Sequence, residues 1–227
     1  VLNSNARVGQ KEPGNTNEVY LTYSNNPNQS GDGTPEEGQT PVDKVIVFTY
    51  ELDVNKVDGA DNKKLEGVTF NLYKKENDVK KYAQVVNGKL AGWTETEAEA
   101  TELKTDTDGL IKVAGLDDGT YYIHEIKPLA GYNSIADVEI VITADTSNGQ
   151  SGNGAVSELV SIDVTANGVA GTGNAAAGTA TVTIANNKGS NLPSTGGMGT
   201  TIFYVVGSIL VLGAAILLIT KKRMSAR

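Results

Sequence analysis

The chain has 227 residues, with 27 acidic and 19 basic side chains, one histidine and no cysteine. That length admits one or two globular modules. The missing cysteines exclude disulfides, thiolate-bound zinc and thiol catalysis, and His124 alone leaves little scope for a catalytic triad or a His-based metal site. Four of the basic groups fall in the last seven residues, so the rest of the chain carries 15 basic against 27 acidic side chains, which argues against nucleic acid as a partner. No metal and no cofactor are expected.

From the N-terminus, Glu18 to Ser24 alternates apolar and polar residues and stops at the turn signal Asn25-Asn26-Pro27. So short a segment supplies one strand without partners. Residues 1–30 are therefore read as the terminal strand of a truncated preceding domain, and residues 31–43, with little to bury, as a linker.

From Lys44 the signals are almost all strands. Val45 to Lys56 alternates cleanly, with Ile46, Phe48, Tyr50, Leu52 and Val54 on one face. Val68 to Leu72, Leu110 to Val113, Thr120 to Ile126, Val138 to Ile142, Leu159 to Val164 and Thr179 to Ala185 follow, each bounded by Gly, Asp or Asn. Residues 44–189 are expected to form an all-β domain, an Ig-like antiparallel β-sandwich. It is larger than a plain sandwich, and the excess in Tyr82–Asp106 and Asp145–Gly178 reads as insertions. Thr94 to Leu103 is the one plausible helix, and the Gly/Ala/Asn/Ser stretches 149–154 and 168–178 read as flexible loops or a hairpin tip.

Three polar residues break the apolar faces in the same way. Lys56 continues Phe48-Tyr50-Leu52-Val54, Glu125 continues Tyr121 and Ile123, and Asn186 continues Val182 and Ile184. Parity turns all three toward the core if the strands run that far. Isolated buried charges are costly, so the three either lie at frayed strand ends in water or meet one another.

The chain closes on an apolar run, Ile202 to Thr220, followed by Lys221-Lys222-Arg223. As a helix those residues span about 28 Å, close to the hydrocarbon thickness of a bilayer. Residues 201–220 are expected to cross a membrane, with the basic tail 221–227 cytoplasmic. Within 190–200 lies Leu192-Pro193-Ser194-Thr195-Gly196. Pentapeptide, span and basic tail together resemble the LPxTG sorting signal of sortase substrates. The resemblance implies cleavage between Thr195 and Gly196 and attachment to peptidoglycan on the surface of a Gram-positive bacterium. Such a protein is exported, yet Val1 opens no signal-peptide pattern, so the sequence is expected to be the C-terminal part of a longer one.

Lys56-Val57-Asp58-Gly59, Leu65 to Tyr73, Asp108-Gly109-Leu110 and Gly119 to Tyr132 are similar to the Cna B-type domain, and more narrowly to the last domain of SpaA-type pilus backbone subunits. The box after the glutamate departs slightly, reading Glu-Ile-Lys-Pro-Leu-Ala-Gly-Tyr. The resemblance implies an intramolecular isopeptide bond between Lys56 and Asn186, promoted once by Glu125. Burial favours the neutral amine of Lys56 and the neutral acid of Glu125, which can then bind the Asn186 carboxamide, polarise its carbonyl and relay protons as ammonia leaves. Asn187 is the rival acceptor, and Lys44 and Lys127 are rival lysines. By the same analogy Asn25, or its neighbour Asn26, is the isopeptide partner of a lysine in the lost domain.

The function implied is structural rather than enzymatic: a backbone pilin of a sortase-assembled pilus. Its partners are class C and housekeeping sortases, other pilin subunits and peptidoglycan, with room for a host surface ligand. The alternative is a wall-anchored adhesin with a Cna B-type stalk. A pilin-motif lysine, the acceptor of the next subunit, is expected upstream, because Lys11 lies in a polar loop.

Overall fold

A computed structural model describes residues 5–9, 14–25, 36–146, 158–189 and 198–224. It divides into two units, residues 1–188 and residues 189–227.

The expected strands are present, several of them longer than the pattern alone required. They are β5 (Tyr50–Asp58), β6 (Thr69–Glu76), β10 (Leu110–Leu116), β11 (Gly119–Lys127), β12 (Val138–Thr146), β13 (Leu159–Ala166) and β16 (Thr179–Asn186). Added to them are β7 (Val79–Val86), β8 (Lys89–Thr94), β9 (Leu103–Lys104), β14 (Val169–Ala170) and β15 (Thr172–Asn174). Hydrogen bonding runs in the order β14-β13-β12-β11-β6-β7-β8-β10-β5-β16-β15, with β9 beside β6. This path curls on itself, and near its two ends Gly171 N donates to Val164 O at 2.8 Å. Inside lie Leu52, Val54, Phe70, Leu72, Ile123, Ile140 and Val182, none more than 2 % exposed. The result is an all-β sandwich closed toward a barrel.

Most neighbours are antiparallel, but β5 and β16 are parallel, with Val54 opposite Val182, Lys56 opposite Ile184 and Asp58 opposite Asn186. Parallel partners need a long crossover, and here everything from β6 to β15 is that crossover. Both strands consequently end at the same pole.

The N-terminal region differs from expectation. Residues 14–25 do have partners: β1 (Asn15–Val19) pairs with β4 (Asp43–Val47), and β2 (Thr22–Ser24) pairs with β3 (Glu37–Gln39). Strand therefore occupies part of the expected linker 31–43, and the expected continuous strand from Val45 to Lys56 is broken at Phe48–Thr49. The break has a local cause. Thr49 is buried, its hydroxyl donates to Arg7 O at 2.9 Å, and its carbonyl accepts Gly9 N–H at 2.9 Å. Those two bonds to residues about forty positions away replace ladder bonds, which no local pattern announces.

The expected helix at Thr94–Leu103 is absent. Only the 3₁₀ turn Glu97–Glu99 forms there, Thr94 Oγ1 donates to Glu99 Oε2 at 2.7 Å, and Leu103 is buried on β9. Threonines at 94, 96 and 101 are stiff and poor helix formers, and their hydroxyls compete for backbone partners. The supposed insertions prove to be part of the sheet: Tyr82 and Ala83 on β7 are buried, and β14 and β15 lie in the stretch read as a loop. Residues 149–154 lie outside the described residues, as do Asn26, Lys11 and the motif Leu192–Gly196.

In the second unit, helix α1 (Met198–Met224) contains the expected span 201–220. Among the described residues no helix is long and apolar enough to cross a membrane. Side chains at 201–203, 215, 217, 219 and 220 fall outside that description.

Closure of the sandwich places Gly173 of β15 against the backbone of β13. A Cβ built at Gly173 would sit 1.6 Å from Ile162 O, whereas one at Gly92 on β8 meets nothing nearer than Gln84 Oε1 at 3.6 Å. Gly173→Ala should destabilise the domain by at least about 1–3 kcal/mol, and Gly92→Ala should stay within about 0.5 kcal/mol of the parent. Chemical denaturation midpoints of the two variants check this.

Candidate crosslinking site at the shared pole of β5, β11 and β16

Lys56 occupies an inward position of β5 near its end. Its N–H donates to Gly109 O at 2.7 Å and its carbonyl accepts Leu65 N–H at 2.9 Å, so loops on both sides hold the backbone. Gly109 has φ +67, and a Cβ there would come within 2.6 Å of Lys56 O. Only glycine allows the Asp108-Gly109 turn to press so closely. Glu125 is the last inward residue of β11 before a bulge that leaves Ile126 unpaired, with Glu125 opposite Phe70 and Lys127 opposite Thr69. Asn186 is the last residue of β16.

The structure brings these three side chains together. Lys56 and Asn186 have no exposed surface, and Glu125 is 5 % exposed. Lys56 Nζ donates to Asn186 Oδ1 in a short hydrogen bond. Asn186 Nδ2 donates to Glu125 Oε1 at 2.7 Å, and Glu125 Oε2 accepts Ile135 N–H at 3.1 Å. The Phe70 ring lies beneath, its centroid 5.7 Å from Nζ, and Phe70 is itself fully buried. Loss of solvent pushes the Lys56 ammonium down to about 8, against the opposing pull of the Glu125 carboxylate. A readily deprotonated amine therefore faces a carboxamide, with a carboxyl group on the far side. That carboxyl meets the amide nitrogen, the atom that would leave, while the carbonyl oxygen faces Lys56 instead.

The rival residues lie elsewhere. Lys44 pairs with Glu18 at 3.0 Å on the β1–β4 ribbon, and Lys127 is exposed. Asn187 is exposed, with its Oδ1 over Gly59, where a Cβ would be only 2.2 Å away. Asn25 closes β2, its N–H bonded to Glu36 O at 2.9 Å, exposed on a sheet separate from the three. Among the described residues no three His, Asp or Glu side chains converge as a metal site would require.

Three further residues at this pole, Asp58, Tyr132 and Lys188, had no role assigned from the sequence, although the first two lie in the quoted motifs. Asp58, 1 % exposed, accepts Tyr132 Oη–H at 2.7 Å and Ala60 N–H at 2.9 Å and pairs with Lys188 Nζ at 2.9 Å. The bonds from Lys188, Ala60 and Tyr132 hold its carboxyl well below the usual carboxylate range. The available signal was parity. Asp58 lies two residues after Lys56, and Lys188 two after Asn186, so each shares its predecessor's face.

Comparison with known proteins agrees with the fold and the C-terminal motif. Residues 50–155 match the SpaA prealbumin-like fold domain, and residues 184–225 match the LPXTG cell wall anchor motif. The trypsin-resistant surface T6 protein of Streptococcus pyogenes serotype M6 is 27% identical over 98% of this chain and 47% of its own length. The group B streptococcus pilus 2b backbone protein is 31% identical, with a TM-score of 0.51 over 86% of this chain and 57% of that one. The T6 backbone pilin structure, at 20% identity and a TM-score of 0.50 over 83% of this chain and 45% of that one, shares the fold. The chain thus spans about half the length of the relatives it matches. It is a cell-wall-anchored surface protein that carries an LPXTG cell wall anchor motif, and its residues 50–155 are similar to the SpaA prealbumin-like fold domain.

Proposed function

We propose that this chain is the C-terminal part of a backbone pilin whose sandwich domain locks itself with an amide bond between Lys56 Nζ and Asn186 Cγ. The observation that carries the reading is the buried hydrogen-bonded series Lys56–Asn186–Glu125. In the proposed step Lys56, its ammonium having released a proton to solvent, attacks Asn186 Cγ through the neutral Nζ. Glu125 takes a proton from the attacking nitrogen and hands one to Nδ2, the Cγ–Nδ2 bond breaks, and ammonia leaves as the new C–N bond closes. Glu125 ends as it began, but the amine and the amide are consumed. This is one self-modification and no enzymatic turnover, and it needs no cofactor.

Polymer formation and anchoring rest on Thr195–Gly196 as the bond cleaved by sortases, first of the class C type that would join pilin subunits and then of the housekeeping type that would transfer the polymer to peptidoglycan. The hydrophobic run of α1 supports membrane retention before cleavage, because consecutive Ile209, Leu210, Val211 and Leu212 are all exposed and present apolar side chains on every face. Asn25 is proposed as the corresponding bond partner of a lysine upstream of Val1.

Intact-mass measurement of the wild-type chain should show the loss of one ammonia, with peptide mapping joining Lys56 to Asn186. Glu125→Ala should retain the full mass. The crosslink spans 130 positions, and by the chain-entropy treatment of disulfides such a loop is worth about 5 kcal/mol. Glu125→Ala should therefore melt about 10–20 °C lower and lose trypsin resistance, the property named in the T6 relative. Ammonia loss in the alanine variant would remove Glu125 from the mechanism, and an unmodified wild type would remove the bond.

Bond formation should also depend on pH. Chain isolated denatured directly from cell-free synthesis and refolded across a pH series should crosslink faster as pH rises toward about 8, where the folded-state amine becomes neutral. The uncrosslinked Glu125→Ala domain should also gain stability as pH rises between the lowered folded value and the ordinary lysine value, because there the unfolded chain binds more protons. A crosslinking rate independent of pH below 8 would contradict the neutral-amine step.

The pilin reading is tested at Thr195. Incubated with a pilus-type sortase and a subunit carrying a pilin-motif lysine, the chain should join the polymer, and Thr195→Ala should not. Use of Thr195 by the housekeeping enzyme alone would favour a wall-anchored stalk.

A further inference from the structure

We infer that Asp58, Tyr132 and Lys188 form a positioning clasp that fixes the register of β16 against β5, so that the Asn186 carboxamide meets the Lys56 amine before the bond closes. The inference rests on the crosslinking reaction proposed above.

The same three chain segments build both clusters. β5 supplies Lys56 and then Asp58, β16 and its continuation supply Asn186 and then Lys188, and the segment from Glu125 onward supplies Tyr132. Backbone bonds tie the same ends together: Gly59 N donates to Asn186 O at 2.8 Å, Asn133 N donates to Asn187 O at 3.0 Å, and Tyr132 bridges Lys188. The two-residue offset is equal on β5 and β16, so the Asp58–Lys188 pair closes in the register that also places Asn186 beside Lys56.

Alternative registers are penalised by the same groups. Sliding β16 by two residues in one direction sets an isoleucine in Asn186's place. Sliding it the other way brings the Lys188 ammonium toward the buried Lys56 amine. A one-residue slip turns Asn187 inward and Asn186 out. In each slipped state Asp58, at 1 % exposure, loses its cation and is left a buried carboxylate held only by neutral donors. Alignment matters because misplacing reacting groups by about 1 Å costs on the order of 10²-fold in rate. Nothing in the clasp touches the reacting atoms. Its members act through the placement of Asn186.

The test follows crosslinking by intact mass after refolding the full chain, isolated denatured from cell-free synthesis, into neutral buffer. Lys188→Met and Tyr132→Phe should each fold, as judged by circular dichroism. Lys188→Met should crosslink at least about tenfold more slowly than wild type, as a loss of about 1.4 kcal/mol in alignment dictates. Tyr132→Phe should be slowed less, and Lys188→Arg should restore most of the rate. The same Lys188→Met change in the uncrosslinkable Glu125→Ala background separates positioning from stability: the slowing should exceed what its lowered fraction of folded protein accounts for. A Lys188→Met chain that folds and crosslinks at the wild-type rate overturns the clasp, as does a slowing fully explained by unfolding. If the wild type itself loses no ammonia, the crosslinking reading has failed first, and the clasp falls with it.

Discussion

A lysine amine with no exposed surface, set among Phe70 and the ends of three strands, is the constraint on which the rest of the domain depends. Left charged and unpaired there, it would cost several kcal/mol. It is tolerable only because Asn186 and Glu125 reach it, and they do so only because β5, β11 and β16 end at one pole. Parallel pairing of β5 with β16 provides that coincidence. An antiparallel pairing would send the end of β16 to the opposite pole, and no local adjustment would bring Asn186 to Lys56. The long excursion through β6 to β15 is the connection that makes the parallel pairing possible.

The pole is also where the chain leaves the sandwich toward Leu192. In the proposed polymer, a load carried through Thr195 arrives at the end of β16, the strand that would otherwise peel from β5 one residue at a time. An amide at Asn186 closes that route within the last strand position. A disulfide could serve the same end mechanically, but the chain holds no cysteine. An amide is indifferent to redox conditions, and its formation converts two buried polar groups into one neutral link. The energetic case for the buried lysine thus improves on reaction: before it, Lys56 must be neutralised or paired, and afterwards there is no charge to solvate.

The sheet was legible because strand alternation is a local property with a period of two. The seven main strands, the inward face of each and the inward parity of Lys56, Glu125 and Asn186 could all be read without knowing the topology. What could not be read was set by contacts distant in sequence. The break between β4 and β5 depends on Thr49 bonding to Arg7 and Gly9, and the pairing of β3 with β2 uses residues with almost nothing to bury. The run 94–103 has acidic residues that suit a helix, but Thr94 and Thr101 bond to β7 and Leu103 pairs with β6. Asp58 and Lys188 sat in plain sight at matching offsets. An acidic and a basic residue near strand ends ordinarily mark a solvated rim, so residue type alone does not announce their pairing.

Lys56 and Lys188 show how far environment overrides residue type. Both extend from strand ends at the same pole, and both meet a partner within hydrogen-bond distance. Lys188 keeps 62 % of its side chain in solvent and pairs with the Asp58 carboxylate, so its ammonium is held above the ordinary lysine range by that bond and charge. Lys56 has lost its water, and desolvation outweighs the attraction of Glu125, so its ammonium is pushed the other way. One lysine is thereby kept as a cation suited to an ion pair, and the other becomes an amine suited to attack. The difference arises from two residues of strand length, which is the distance from the dry interior of the sandwich to its wet rim. Exchanging the two roles would require moving the carboxylate as well as the lysine, since a neutral amine at 188 would strand Asp58 and a charged one at 56 would have no nucleophilic lone pair. Reactivity at this pole is therefore assigned by depth in the sandwich, and the pairing at the rim keeps that depth fixed.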